Sequence, residues 1–186
     1  IASWAFYDFA NTIFSMNVIS LYFALWVTVD HGGEDILYSI ALSGSMLAVA
    51  ISAPVFGTIS DQTGKRRFPL TLLTIVSVLT TALIGEAEQL WVGLLLFVIA
   101  NYCYQSALVF YNGMLPSVAR QSNVGMISGY GVALGYVGSI AGLRLVEPFV
   151  TDGGRSAAFL PTAILFLVFA IPCFLYVKDP SPKPFY

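Results

Sequence analysis

Six long stretches of this chain carry no Asp, Glu, Lys, Arg or His: residues 9–29, 36–60, 68–85, 89–119, 121–143 and 156–177. They are 21, 25, 18, 31, 23 and 22 residues long and together take up 140 of the 186 residues. About 20 apolar residues in a helix cross about 30 Å of hydrocarbon. Each stretch is long enough for one crossing and none is long enough for two. A membrane β-barrel would show alternating segments of about ten residues instead. The pattern predicts an all-α membrane protein with six transmembrane helices, over 4–28, 36–59, 68–86, 90–112, 125–147 and 158–177, in one bundle spanning 1–177.

The same scarcity of charge excludes other classes. Charged residues make up 10%, against about 25% in an ordinary soluble domain. At 58% hydrophobic, the chain is too apolar to be disordered. Its two cysteines, Cys103 and Cys173, both fall inside predicted spans and form neither a disulfide framework nor a zinc pattern. A net charge of −2 without a basic patch argues against nucleic acid. No metal or cofactor is expected. The chain opens on Ile1 without the pattern of a signal peptide, so the natural start is expected to be missing or removed.

The charges that exist mark the loops. Six crossings put both termini on one side, together with Lys65, Arg66, Arg67, Arg120, Lys178 and Lys183. The other side holds Arg155, with Arg144 near the same end of the fifth span. This bias predicts cytoplasmic termini. Tight outer turns are expected at His31-Gly32-Gly33 and Asp152-Gly153-Gly154, and Pro116 is expected to end the fourth helix. The proline-rich segment 178–186 reads as the start of a cytoplasmic linker.

Inside the membrane, polarity is concentrated on spans one and four. Asn11, Thr12, Ser15 and Tyr22 lie 3, 4, 7 and 14 residues after Asp8, which places them on one helical face. Asn101, Tyr104, Gln105 and Asn112 share a face of span four. An unpaired amide facing lipid costs several kcal/mol, about 2–7 by the reference chosen. The two faces are therefore expected to meet each other or a wet cavity, as interhelical hydrogen-bond glue or as the lining of a solute path. Asp8 reads either as a coupling or substrate-contacting carboxylate or as an acid favoured by a helix N-terminus. Arg144 can snorkel to the headgroups, pair with Glu147 three residues on, or meet an anion at a cavity mouth.

Small residues mark helix contacts. Gly125, Gly129, Gly131, Gly135, Gly138 and Gly142 in span five, and Gly44, Ala48 and Ser52 in span two, are expected to let helices approach closely. The most specific local signal is the short connection between spans two and three, Gly57-Thr58-Ile59-Ser60-Asp61-Gln62-Thr63-Gly64-Lys65-Arg66-Arg67. Topology explains its three bases. Asp61 can accept hydrogen bonds from a base or from free helix amides, and Gly64 permits a left-handed turn.

That connection resembles the signature of the major facilitator superfamily, Gly-x-x-x-Asp-(Arg/Lys)-x-Gly-(Arg/Lys)-(Arg/Lys), through Gly57, Asp61, Gly64, Lys65 and Arg66, with Gln62 departing from the expected base. Trp4-Ala5-Phe6-Tyr7-Asp8-Phe9-Ala10-Asn11 and Ser128-Gly129-Tyr130-Gly131-Val132-Ala133-Leu134-Gly135-Tyr136-Val137-Gly138 resemble motifs of the vacuolar amino-acid effluxer family linked to autophagy and of its bacterial relatives. The resemblance implies the amino-terminal half of a twelve-helix transporter, built as two inverted three-helix repeats, with spans one and four as counterparts. It implies alternating access for a small solute, amino acids among the choices and protons as one coupling ion. It places the protein in a bacterial inner membrane, or a vacuolar membrane in a eukaryote. Asp8, Asn11, Ser15, Asn101, Tyr104, Gln105, Asn112 and Arg144 become cavity or coupling candidates. Gly57, Asp61, Gly64, Lys65 and Arg66 become the gating loop. The missing carboxy-terminal half or a second copy is the expected partner, with the lipid bilayer. Rival readings are a half-size transporter working as a dimer and a non-transporting structural or assembly protein. No hydrolase motif is present and the single His31 has no partner motif, so an enzyme is not expected.

Overall fold

A computed structural model describes residues 1–119 and 122–179. Arg120, Lys183 and the linker beyond Asp179 lie outside the described residues. Six helices are long and apolar enough to cross a membrane: α1 (Ala2–Asp30), α2 (Asp35–Thr63), α3 (Arg67–Ile84), α4 (Leu90–Gly113), α5 (Val124–Gly153) and α6 (Arg155–Tyr176). Among the described residues there is no strand.

Most ends lie within three residues of the sequence expectation, and three helix ends have local causes. α2 continues to Thr63, so Asp61 sits in its last turn and not in a loop. Thr58 and Thr63 return their hydroxyls to the carbonyls of Pro54 and Ile59, one turn back. The helix stops at Gly64, whose φ of 65° suits glycine and whose N–H reaches Ser60 O. α5 runs through Pro148 to Gly153 and ends at Gly154, φ 75°. α4 ends at Gly113, before Pro116, which instead sits in the first turn of a short helix, Leu115–Val118.

Helix pairing follows an internal exchange. α1 packs on α5 and α6, α4 packs on α2 and α3, and α3 packs on α6. Exchanging α1 with α4, α2 with α5 and α3 with α6 maps this set of contacts onto itself. Since α1 and α4 run in opposite directions, the two three-helix units are inverted repeats. α1 and α4 form the centre. Trp4 stacks on Tyr111 at 4.6 Å, Phe14 lies 4.6 Å from Tyr104, and Phe23 stacks on Phe97 at 4.1 Å between ring centres. The α4 rings recur every seven residues, which keeps them on one stripe. Lipid tails are as apolar as these side chains, so close packing has to hold the helices together. Each aromatic pair contributes about 0.5–1.5 kcal/mol.

α5 reaches α1 through glycine. A Cβ at Gly138 would lie 2.5 Å from Phe9 O, and one at Gly135 would lie 2.7 Å from Thr12 Oγ1. Gly131 and Gly142 meet α1 in the same way. The expectation of close contact is not met within these six helices at Gly125, Gly129 and Gly44, where a Cβ would meet nothing within 4 Å, and Gly57 of the signature is open in the same way. Those four are on the surface of this chain because nothing in these six helices covers them.

Candidate functional site

The first candidate site is the polar seam of α1, α4 and α5. Asp8 lies six residues into α1 and is half-buried. Its room comes from Gly131, where a Cβ would sit 2.7 Å from Asp8 Oδ2 and 3.0 Å from the Trp4 ring. Asn11 Nδ2 donates to Asp8 Oδ1 at 3.1 Å, and Thr12 donates its hydroxyl to Asp8 O. Among the described residues no base pairs with Asp8. Ser15 lies one turn further on and is half-buried, and Tyr104 of α4 is buried against Phe14. Gln105 is half-buried and Asn112 exposed, on the same flank of α4.

At the far end of the seam, Arg144 pairs with Glu147 at 3.4 Å. Both side chains are exposed and, with Leu21, Tyr22, Ile140 and Leu143, line a cavity of about 410 Å³ between α1 and α5. Glu147 follows Gly129 by eighteen residues, which is five whole turns, so it shares a face with the uncovered glycine. The seam thus runs from a carboxylate at the terminus end to an ion pair at the far end.

Asn101 sits elsewhere. It is fully buried and donates to Ser45 Oγ at 2.7 Å, tying α4 to α2. Ser45 passes its own proton to Leu42 O. Three buried polar links were not singled out in the sequence. Tyr7 donates to Thr74 Oγ1 at 2.7 Å, since Thr74 gives its proton to Leu70 O. Asn17 donates to Thr162 Oγ1 at 3.2 Å and joins α1 to α6. Ser77 donates to Ala100 O. An amide inside an apolar run was the available signal for Asn17, but it lies nine residues from Asp8, on the opposite face.

The second candidate site is the α2–α3 turn. Arg66 is its centre. Nε donates to Ser60 Oγ and Nη2 to Asp61 Oδ1, both at 2.7 Å, while Nη1 reaches Gly113 O at the end of α4. Asp61 stands at a helix C-terminus, where an acid is disfavoured, and Arg66 offsets that charge. Asp179 Oδ1 accepts from the backbone N–H groups of Arg66 and Arg67 at 2.8 and 2.7 Å. A carboxylate from beyond α6 thereby caps the start of α3. Gly57 and Lys65 have no part in this network; Lys65 is exposed.

Comparison with known proteins fits this architecture. The family model described as Major Facilitator Superfamily matches residues 8–185. An uncharacterized protein of Aquifex aeolicus (strain VF5) is 29% identical over 96% of this chain and 46% of its own length. The uncharacterized MFS-type transporter YxiO of Bacillus subtilis (strain 168) is 28% identical over 95% of this chain and 46% of its own length. The multidrug resistance protein MdtG of Proteus mirabilis (strain HI4320) is 26% identical over 82% of this chain and 38% of its own length. The chain spans about half the length of the curated relatives it matches. No solved structure matches it. With six membrane-crossing helices in two inverted repeats and the signature turn between the second and third, the chain belongs to the Major Facilitator Superfamily.

Proposed function

We propose that these six helices are one half of a twelve-helix secondary transporter that moves a small solute by alternating access, with the α1–α4–α5 seam as its wall of the solute path. The observation that carries this reading is Asp8. It is a half-buried carboxylate within a membrane-spanning helix, beside an amide and with no base among the described residues. An acid is retained in such a place at a cost of about 2.5–3.5 kcal/mol at a helix centre, less toward the ends. Function is the usual reason to retain it. Asn11, Ser15, Tyr104, Gln105 and Asn112 supply further hydrogen-bonding groups, and Arg144 with Glu147 stands at the far mouth. Asn101 serves by holding α4 to α2. Amino acids are the proposed solutes, their ammonium group meeting Asp8. The α2–α3 turn is the proposed gate at the terminus side; the basic residues Lys65, Arg66, Arg67 and Lys178 there support a cytoplasmic position, and a bacterial inner membrane is the proposed location.

The test is reconstitution of the complete protein in vesicles with a panel of labelled amino acids under an imposed pH gradient. Uphill accumulation is expected in the parent, and Asp8→Asn should reduce it to the level of protein-free vesicles. Equal pH-gradient dependence in parent and mutant would remove Asp8 from coupling. A carboxylate beside the Trp4 ring also suits an organic cation, and one relative is named a multidrug resistance protein. Efflux of a cationic dye without amino-acid exchange would favour that second reading. Transport of neither would favour a structural role.

A further inference from the structure

We propose that the far end of α5 and α6 holds one phospholipid with a primary ammonium headgroup, drawn from the leaflet at that end. A groove of about 650 Å³ lies between the two helices there, walled by Leu145 and Phe149 of α5 and Leu160 and Ile164 of α6, with Glu86 and Ser156 also lining it. Gly153 and Ser156 are shared with a second pocket of about 360 Å³ lined by Arg155 and Asp30. The two pockets are therefore adjacent.

Three observations fix the occupant. The first is position. Leu145 and Phe149 follow Gly129 by 16 and 20 residues, which turns them about 160–200° from it. The groove thus lies on the side of α5 away from the uncovered glycines and the Arg144–Glu147 pair, and beyond Gly142, the last glycine to meet α1, its walls Leu145, Phe149, Leu160 and Ile164 are all exposed within these six helices. The second is the gradient of polarity. From Ile164 to Ser156 is eight residues, about 12 Å along the helix. Over that length the walls pass from purely apolar to a rim of hydroxyl, carboxylate and guanidinium, which is the order in a phospholipid from tail to head. The third is charge. Glu86 is exposed in the turn after α3 and has no ion-pair partner among the described residues. Arg155 is held by Asp30 at the adjoining pocket. A phosphate beside Arg155 leaves a short ammonium arm to meet Glu86. A primary ammonium donates hydrogen bonds to that carboxylate, whereas a quaternary one has none to give.

The experiment uses the complete protein in detergent, relipidated in turn with phosphatidylethanolamine, phosphatidylcholine or phosphatidylglycerol. Retained lipid is counted by native mass spectrometry and the melting midpoint is read alongside. Transport is not measured, so the result is separate from the fate of the solute path. The parent should retain phosphatidylethanolamine in preference to the other two and melt higher with it. Glu86→Gln should lower that preference about tenfold, the value of one charge-assisted hydrogen bond, without changing the melting midpoint in lipid-free detergent. Ile164→Trp should fill the groove and reduce retention of all three lipids. If Ile164→Trp does not fold, Glu86→Gln decides alone, because the Glu86 side chain makes no hydrogen bond or ion pair among the described residues. Equal retention of the three lipids by the parent, an unchanged preference in Glu86→Gln, or cross-linking of Leu160→Cys to another polypeptide segment in place of lipid would overturn the proposal.

Discussion

Arg66 and Asp61 differ in what each would leave behind if removed. The Arg66 side chain is 11% exposed and that of Asp61 is 74% exposed. An ion pair with so exposed a partner is worth little, about 0–1 kcal/mol. The fork from Arg66 to Ser60 and Gly113 O is sheltered, and its loss would strand both acceptors. Arg66→Lys keeps the charge and loses the fork. It should lower the stability of the complete protein by about 1–3 kcal/mol, read as a lower melting midpoint in detergent. Asp61→Asn should leave the midpoint nearly unchanged and reduce transport if the turn is a gate. Unchanged transport in Asp61→Asn would end the gating role. The residues of this turn were legible in the sequence because they are contiguous. The reach of Arg66 to α4 and the capping of α3 by Asp179 were not. Both join positions 47 and more than 110 residues apart, and no local spacing encodes them.

The helix count was legible because lipid demands an uninterrupted apolar run for each crossing, and charge interrupts it. The faces were legible only in part. Offsets of 3, 4, 7 and 14 from Asp8 assume a regular α-helix, but α1 runs with i→i+5 hydrogen bonding over Ser15–Tyr22 and again over Trp26–Asp30. The wider turns shift every later side chain relative to Asp8. Tyr22 nevertheless stays on the α5 side, lining the Arg144 cavity, as Asp8 and Thr12 meet Gly131 and Gly135. The glycines of α5 could be recognised as contact residues without knowing which of them make contact, because six glycines spread over both faces of one helix. Gly131, Gly135, Gly138 and Gly142 do; Gly125 and Gly129 face the other way. Gly138→Ala would drive a methyl group into the Phe9 backbone, which cannot swing aside as a side chain can. Overpacking of this kind costs about 1–3 kcal/mol. The melting midpoint of the complete protein should fall accordingly, and an unaltered midpoint would mean that α1 and α5 lie further apart than described here.

At the scale of the molecule, α2 and α5 are the least covered helices. Ile40, Leu47, Ile51 and Val55 on one, and Val132, Tyr136, Val137 and Ile140 on the other, are all exposed. Both carry glycines with open space before them. The two are counterparts in the inverted repeat, so the incomplete coverage is a property of the half as a unit. If a second half closes against these helices and rocks on them during transport, the open-glycine face alternates between water and protein, while the Leu145 face stays in lipid. Single cysteines at Gly129 and at Leu145 separate these surroundings. Cys103 and Cys173 are buried, so these two contribute little background labelling. In vesicles carrying the complete protein, Gly129→Cys should react with a water-soluble maleimide at a rate that changes when transported solute is added, because solute shifts the population of the two states. Leu145→Cys should stay unreactive to that reagent with or without solute. A rate at residue 129 that ignores solute, or a reactive Leu145→Cys, would contradict alternating access at this face.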